Sequence, residues 1–532
     1  MRSWTSIGRR LAVVCLCLCL VSTLLPAAVT MEGTTPDTPD GTTPDTHPGE
    51  SPGTDVEIDE EIFEETGSIE FVVRLEEATV ADADDPERTL EDHAEKTQQP
   101  LLEYVDTTAG LTLEEEFWVT NAVVLTVETE LVDGEVLSEL EAIEGVEMIH
   151  ENFELTAPEP PEPTAVDLGE DDDTEDVPPT PALEQIHVPE VWDRYDTRGE
   201  GVRVAVLDTG VDADHPDIDL YTDTPGDPTY PGGWAEFDHT GDRLEDSTPH
   251  DTDTHGTHVS GTVAGGTESA TAIGVAPEAE LLHGLVLTGD GGTFAQIVAG
   301  IEWALEEDAD VINLSLGSTG AFDQLIAPVQ HATESDVVVV AAIGNAGPET
   351  SGSPGNVYET ISVGAVDATD QVPSFSGGER LNRTDWGDAP EQWPETYVVP
   401  TVTAPGVDIV SAVPGGYASK PGTSMATPHV SGIAALALSV EPDTTPEELS
   451  TALTETAWKP DGEPTTQDPR YGHGIVDASA TVDQLAEQSA NTSTLEDGSS
   501  DQADTDRVGS PGVAVVALAL GVLLATLLGR TD

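Results

Sequence analysis

The sequence predicts an α/β protein: a main domain on a mostly parallel sheet flanked by helices, preceded by a small ferredoxin-like α+β domain. Between 182 and 485, apolar runs at 202–207, 280–287, 311–316, 337–342 and 360–366 alternate with helical stretches. Strands this uniformly apolar are buried on both faces, as parallel strands covered by helices are. Between 67 and 156 the signals run strand, helix, strand, strand, helix, strand, which is the ferredoxin-like order. A Pro- and acid-rich stretch, 157–181, separates the two domains.

In chain order, Arg2, Arg9 and Arg10 precede an apolar run over 11–25 and then Pro26-Ala27-Ala28. This is the pattern of a secretory signal, 1–29. The Arg9-Arg10 pair points to the twin-arginine export route and an extracellular or cell-surface location. Cys15, Cys17 and Cys19 are the three cysteines and all lie inside that signal, so a processed chain has neither disulfides nor thiol chemistry. Residues 30–66 begin with a repeated Thr-Thr-Pro-Asp, at 34–37 and 42–45, and are expected as a disordered spacer.

In the domain 67–156 the strands are expected at 69–75, 111–117, 122–127 and 146–150. The helices are expected at 89–105 and 132–143, the first interrupted by Pro100 and the second capped by Asp133. The linker 157–181 carries Pro158, Pro160, Pro161 and Pro163 and is expected to be exposed and readily cut. After the main domain, a polar stalk over 486–510 leads to an apolar segment within 511–529. Its run 513–528, closed by Arg530, is at the short end of the ~17 residues that span a bilayer. A membrane tether through this segment is the expectation.

The charge is extreme. There are 17 Lys+Arg against 104 Asp+Glu, a formal net charge of −87, and Lys96, Lys420 and Lys459 are the only lysines. Such a surface repels nucleic acid, which excludes that class of partner. A compact domain with this self-repulsion is expected to need concentrated salt, where the screening length falls to ~3 Å.

Three windows carry chemistry. The strand 202–207 ends at Asp208-Thr209-Gly210, placing a carboxylate at the carboxyl end of a parallel strand, where α/β sheets hold their ligands. Alone, this reads more readily as a turn. Thr254-His255-Gly256-Thr257-His258 opens a helix. Zinc on His255 and His258 is disfavoured by their spacing and the lack of a third ligand nearby, and His258 reads as a packed histidine. Gly422-Thr423-Ser424-Met425-Ala426-Thr427-Pro428 opens an apolar helix, with Ser424 beside free N–H groups and the positive end of the dipole. Alone, Ser424 is a helix cap.

Together, Asp208, His255 and Ser424 form a candidate triad in the order Asp…His…Ser. The three windows resemble the subtilisin-like serine proteases over 182–485, and the chain, with a C-terminal tail similar to a haloarchaeal sorting tail, resembles the haloarchaeal halolysin-type extracellular proteases. The resemblance implies that Ser424 attacks the peptide carbonyl, His255 carries the proton and Asp208 orients the imidazole. Ala341-Ala342-Ile343-Gly344-Asn345-Ala346-Gly347 is similar to the family segment that supplies an oxyanion-hole asparagine, here Asn345. Ser315, Leu316 and Gly317, with Gly289, Gly291 and Gly292, resemble the two backbone edges that hold an extended polypeptide substrate, and Phe294 falls near the outer subsite. Residues 67–156 resemble the family's inhibitory propeptide, whose C-terminal tail fills the active site. No cofactor is implied for catalysis. Calcium as a structural ion is implied by Asp217 in Asp214-His215-Pro216-Asp217, although the loop at Thr267-Glu268 departs from the usual ligands. Two alternatives stand beside this reading: a catalytically silent surface scaffold, and an esterase using the same triad.

Overall fold

The computed structural model describes residues 56–58, 67–80, 83, 85–132, 136–156, 164–166, 168, 177–289 and 291–500, the last ten without side chains. The export signal, the repeated spacer motifs, Asp133 and the apolar segment 513–528 lie outside these residues. Of the two compact units of the chain, 1–53 and 54–532, the description concerns the second.

The N-terminal domain is a five-stranded sheet ordered Glu57–Ile58, Val146–Glu151, Ser68–Leu75, Ala122–Glu128, Leu111–Phe117. The last four strands pair antiparallel, as the ferredoxin-like order requires. The edge strand Glu57–Ile58 runs parallel to Met148 and Ile149 and corrects the expectation of a spacer to residue 66. Its two residues gain order only by pairing with a strand some ninety positions away, which composition does not reveal.

The helix Pro86–Thr107 starts with Pro86 in its first turn and the Asp85 carboxylate accepting from Arg88 N–H at 3.2 Å. It runs through Pro100 because that residue lies on the exposed face, while Leu90, Ala94, Gln98, Leu101 and Val105 bury the other. The second helix is shorter than expected, Val136–Glu141.

The main domain holds a seven-stranded sheet ordered Val402–Pro405, Ile361–Val366, Val338–Ala342, Val311–Leu314, Arg203–Asp208, Glu280–Leu285, Trp234–Glu236, with every pair parallel. Side-chain alternation along the central strand sorts two cores. Val204 and Val206 face one with the helices His255–Ala264 and Thr423–Val440, while Ala205 and Leu207 face the other with Phe294–Glu306 and Ile326–Glu334. The short edge strands Trp234–Glu236 and Val402–Pro405 were not expected.

Two further departures concern connections. The segment 157–181 is not linker throughout: Thr164–Val166 is a strand, and Pro179 bridges Ala272 before the helix Pro181–Gln185. The C-terminal helix Ala478–Ser500 runs past residue 485, where a stalk was expected to begin. Among the described residues no helix is long and apolar enough to cross a membrane.

The N-terminal domain docks on the Phe294–Glu306 helix through a buried carboxylate. Glu302 accepts from the N–H groups of Trp118 and of Val119, the latter at 2.7 Å. Burial pushes its pKa well up, and the two N–H donors offset only part of that. Replacing Glu302 by Leu strands both donors at a buried interface, at about 1–3 kcal/mol for each donor left unsatisfied. Dissociation of a separately added 56–156 domain from the Glu302→Leu protein freed of its own N-terminal domain is therefore expected to be more than about tenfold faster than from the wild type treated alike, by surface plasmon resonance.

Candidate active site

Asp208 ends the central strand, where the sheet stops and the chain turns through Thr209-Gly210. It is fully buried. Its Oδ1 accepts from Thr209 N–H at 2.8 Å and from His255 Nδ1–H at 2.7 Å. Burial alone would raise the carboxyl pKa. The charge of His255 and the hydrogen bonds from His255 and Thr209 outweigh that and hold it below the usual range.

The glycines of these windows set the approach of His255. A Cβ on Gly256 would lie 2.1 Å from Gly210 O, so only glycine lets the His255–Ala264 helix abut the Asp208 turn this closely. Gly256 N–H then donates to Thr209 Oγ1 at 2.9 Å. Thr254, which precedes His255, receives a 2.7 Å hydrogen bond from Lys420 Nζ. Lys420 is buried, and sequence reasoning gave it no role. His258 is a packing residue: its Nε2 lies 3.0 Å from Ile409 O and 3.2 Å from Ala418 O, and burial pushes its pKa down to about 3.

Ser424 is the second residue of the Thr423–Val440 helix, which packs on the His255–Ala264 helix. His255 Nε2 and Ser424 Oγ are both buried, and neither has a hydrogen-bond partner. A hydroxyl that could serve as a nucleophile and the unused nitrogen of an imidazole whose other nitrogen is fixed by a carboxylate are thus left open. Ser424 O accepts from Ser315 Oγ at 3.0 Å. Asn313 Nδ2 donates to that hydroxyl at 3.0 Å, and Ser431 Oγ donates to Asn313 Oδ1 at 2.9 Å. Ser315, expected only as part of a substrate edge, therefore also anchors the serine turn. Asn313 and Ser431 escaped the sequence reading.

Asn345 follows the Val338–Ala342 strand. Its Oδ1 accepts from Thr423 N–H at 2.9 Å and Thr423 Oγ1 at 3.0 Å, which leaves its Nδ2 donor free to point elsewhere. That Nδ2 and Ser424 N lie 3.6 and 3.7 Å from where a Cβ on Gly422 would sit, so the two donors flank one small space. An oxyanion hole needs this pairing of donors.

The end of the N-terminal domain runs between the two backbone edges. Leu155 pairs antiparallel with Gly292, Thr156 with Gly317, and Gly317 N–H donates to Thr156 O at 3.0 Å. A Cβ on Gly291 would stand 2.8 Å from Leu155 O, so that edge requires glycine to admit the tail. A Cβ on Gly289 would face open space, and among the described residues no contact ties Gly289 to the tail. Phe294, fully buried, donates its N–H to Phe153 O at 2.9 Å. Beside Thr156 opens a cavity of about 280 Å³, lined by Leu316, Gly317, Ala342, Gly344, Asn345 and Gly352.

Asp217 is buried beside the loop at Thr267-Glu268. Its Oδ1 accepts from Glu268 N–H at 2.6 Å and its Oδ2 from the Tyr417 hydroxyl at 2.7 Å, so both oxygens already have protein donors. Among the described residues no three His, Cys, Asp or Glu side chains gather into one cluster.

The subtilase family model matches residues 199–474, a span that takes in Asp208, His255, Asn345 and Ser424. Subtilisin E of Bacillus subtilis (strain 168) is 39% identical over 282 residues, covering 52% of this chain and 65% of that protein. Subtilisin of Bacillus pumilus is 38% identical over 282 residues, covering 52% of this chain and 90% of that protein. An intracellular serine protease of Paenibacillus polymyxa is 37% identical over 291 residues, covering 51% and 78%. With the family model matching half of its length, this chain belongs to the subtilase family.

Proposed function

We infer that the chain is a serine endopeptidase that cuts polypeptides through an acyl-enzyme. The observation that carries this reading is the buried Asp208–His255 hydrogen bond of 2.7 Å with His255 Nε2 and Ser424 Oγ both left unpartnered. Ser424 Oγ attacks the scissile carbonyl while its proton passes to His255 Nε2, and the ionised Asp208 stabilises the imidazolium. Asn345 Nδ2 and Ser424 N–H receive the developing oxyanion. The imidazolium returns the proton to the departing amine, and a water activated by the same imidazole then hydrolyses the ester. Subtilases need no cofactor for these steps, and calcium has no part in this reading.

The same reading makes the N-terminal domain an intramolecular inhibitor, released by self-cleavage beyond Thr156. It also makes the enzyme exported through the segment 1–29, tethered by 513–528, and dependent on concentrated salt.

Casein hydrolysis set beside hydrolysis of a p-nitrophenyl ester tests the reading. A peptidase cuts both, an esterase only the second, and a silent scaffold neither. Asn345→Ala removes one oxyanion donor, typically worth about 2.7–4 kcal/mol in the transition state. In matured enzyme its kcat on casein is expected to fall by about 10²–10³, with KM little changed. An unchanged kcat would take Asn345 out of the mechanism.

A further inference from the structure

The chain is held on both sides of Ser424. Upstream, Leu155 and Thr156 pair with Gly292 and Gly317. Downstream, Thr164–Val166 forms the third strand of a sheet with Ile409–Val413 and Gly416–Lys420. The pairing is antiparallel: Thr164 opposes Ser419, Ala165 opposes Ala418 and Val166 opposes Tyr417. The Gly416–Lys420 strand runs toward the nucleophile, since Pro421-Gly422-Thr423 leads directly into Ser424. Its antiparallel partner therefore runs away from the nucleophile. A chain that enters along the two glycine edges leaves along Gly416–Lys420.

Thr164 and Ala165 are exposed, so side-chain burial does little to hold this strand, and a Pro- and acid-rich surrounding sequence gives no intrinsic reason for strand there. What remains is main-chain pairing to the edge of a hairpin, which any extended polypeptide can supply.

We propose that the Gly416–Lys420 edge is a binding site for extended polypeptide on the leaving-group side of the scissile bond, filled first by this chain's own Thr164–Val166 and then by substrate. This rests on the endopeptidase reading. It adds that the enzyme selects long unfolded chains over short peptides by strand addition several residues beyond the cut. Before substrate can do so, the enzyme's own strand, which self-cleavage leaves near the new N-terminus, has to yield the edge.

The test uses matured enzyme, wild type and Thr164→Pro/Ala165→Pro. Adjacent prolines remove the donor of whichever residue faces the edge, because alternate strand residues point to opposite neighbours. One peptide substrate ends about two residues past the scissile bond. A second continues for about ten, and a third is the long peptide N-methylated from the third residue past the bond onward. In the double-proline enzyme the long peptide is expected to show a KM about tenfold or more below that of the short one at similar kcat. N-methylation is expected to abolish the gain, and a second long peptide of unrelated sequence to reproduce it. The wild type, whose own strand competes, is expected to show a smaller gain. Equal KM values for short and long peptides in both enzymes, or a gain that survives N-methylation, would overturn the proposal. Equal gains in the two enzymes would overturn the assignment of Thr164–Val166 as occupant. Failure of either enzyme to cut the short peptide would instead overturn the endopeptidase reading.

Discussion

Ser424→Ala is expected to lower peptidase activity by about 10⁶, the loss seen when the nucleophile of such a triad is removed. The hydroxyl it deletes has no hydrogen-bond partner, and the backbone carbonyl that ties this residue to Ser315 is kept, so the fold should not suffer. The second expected effect is on processing. If the tail seated along Gly292 and Gly317 is cut by the adjacent serine, the Ser424→Ala chain keeps its N-terminal domain attached. Casein turnover of the purified variant reads the first outcome, and its intact mass beside the wild type reads the second. A Ser424→Ala chain that still loses residues 56–156 in a host without other proteases would show that cleavage is not intramolecular.

The second large effect is on stability, and it follows from a net charge of −87. Carboxylates crowd one another in the folded chain. Glu87 has its pKa raised by burial and then by Asp308, Asp85, Glu91 and Glu306. Glu147 is raised by burial and then by Glu76, Glu77 and Asp388. With no cysteine beyond residue 19, no disulfide offsets this repulsion. Lowering NaCl from several molar to ~0.1 M, where the screening length grows to ~10 Å, is expected to unfold the protein.

The pH dependence at intermediate salt has a definite sign. A carboxyl whose pKa is raised on folding binds more protons in the folded state, so its contribution to stability is greatest at low pH. That contribution is lost as pH rises from the unfolded value through the folded one. Carboxyls held low in the fold, such as Asp208 and Glu200 (pulled down to about 2), stay ionised across that window. Buried histidines act across it instead: burial pushes His150 and His258 down to about 3 and His283 and His429 down to about 4, so as pH falls through the ordinary histidine range the unfolded chain takes up protons that the fold does not. At marginal salt, moving from pH 7.5 to about 5.5 should therefore lower Tm, as followed by circular dichroism. A Tm that rises on this acidification would contradict the burial of these neutral histidines, and a full circular dichroism signal at ~0.1 M NaCl would show that the acidic surface does not set the salt response.

The parallel sheet and the triad windows were legible because their signals are local. Buried parallel strands such as 338–342 are continuous apolar runs, and Asp208-Thr209-Gly210, His255-Gly256 and Gly422-Thr423-Ser424 carry their steric requirements in adjacent residues. The parts missed have partners far along the chain. Asn313 and Ser315 act on the Ser424 turn across more than a hundred residues, Ser431 holds Asn313 across a similar gap, and Lys420 reaches Thr254 across a longer one. Thr164–Val166 looked like linker because its strand state depends on an edge some 250 residues away, not on its own propensity. Asp217 likewise has a partner that its local motif does not show. Its local motif suggested an ion ligand, whereas Tyr417, two hundred positions on, takes up one of its oxygens.

The measurement that bears most directly on the triad is covalent labelling of matured protein with a fluorophosphonate in concentrated NaCl, followed by peptide mass mapping. Attack by an activated serine displaces fluoride, and the adduct stays on the attacking oxygen. One adduct per chain is expected, on Ser424, absent in Ser424→Ala and formed far more slowly in His255→Ala. A labelled serine elsewhere, or no adduct on a folded, propeptide-free chain, would contradict the account.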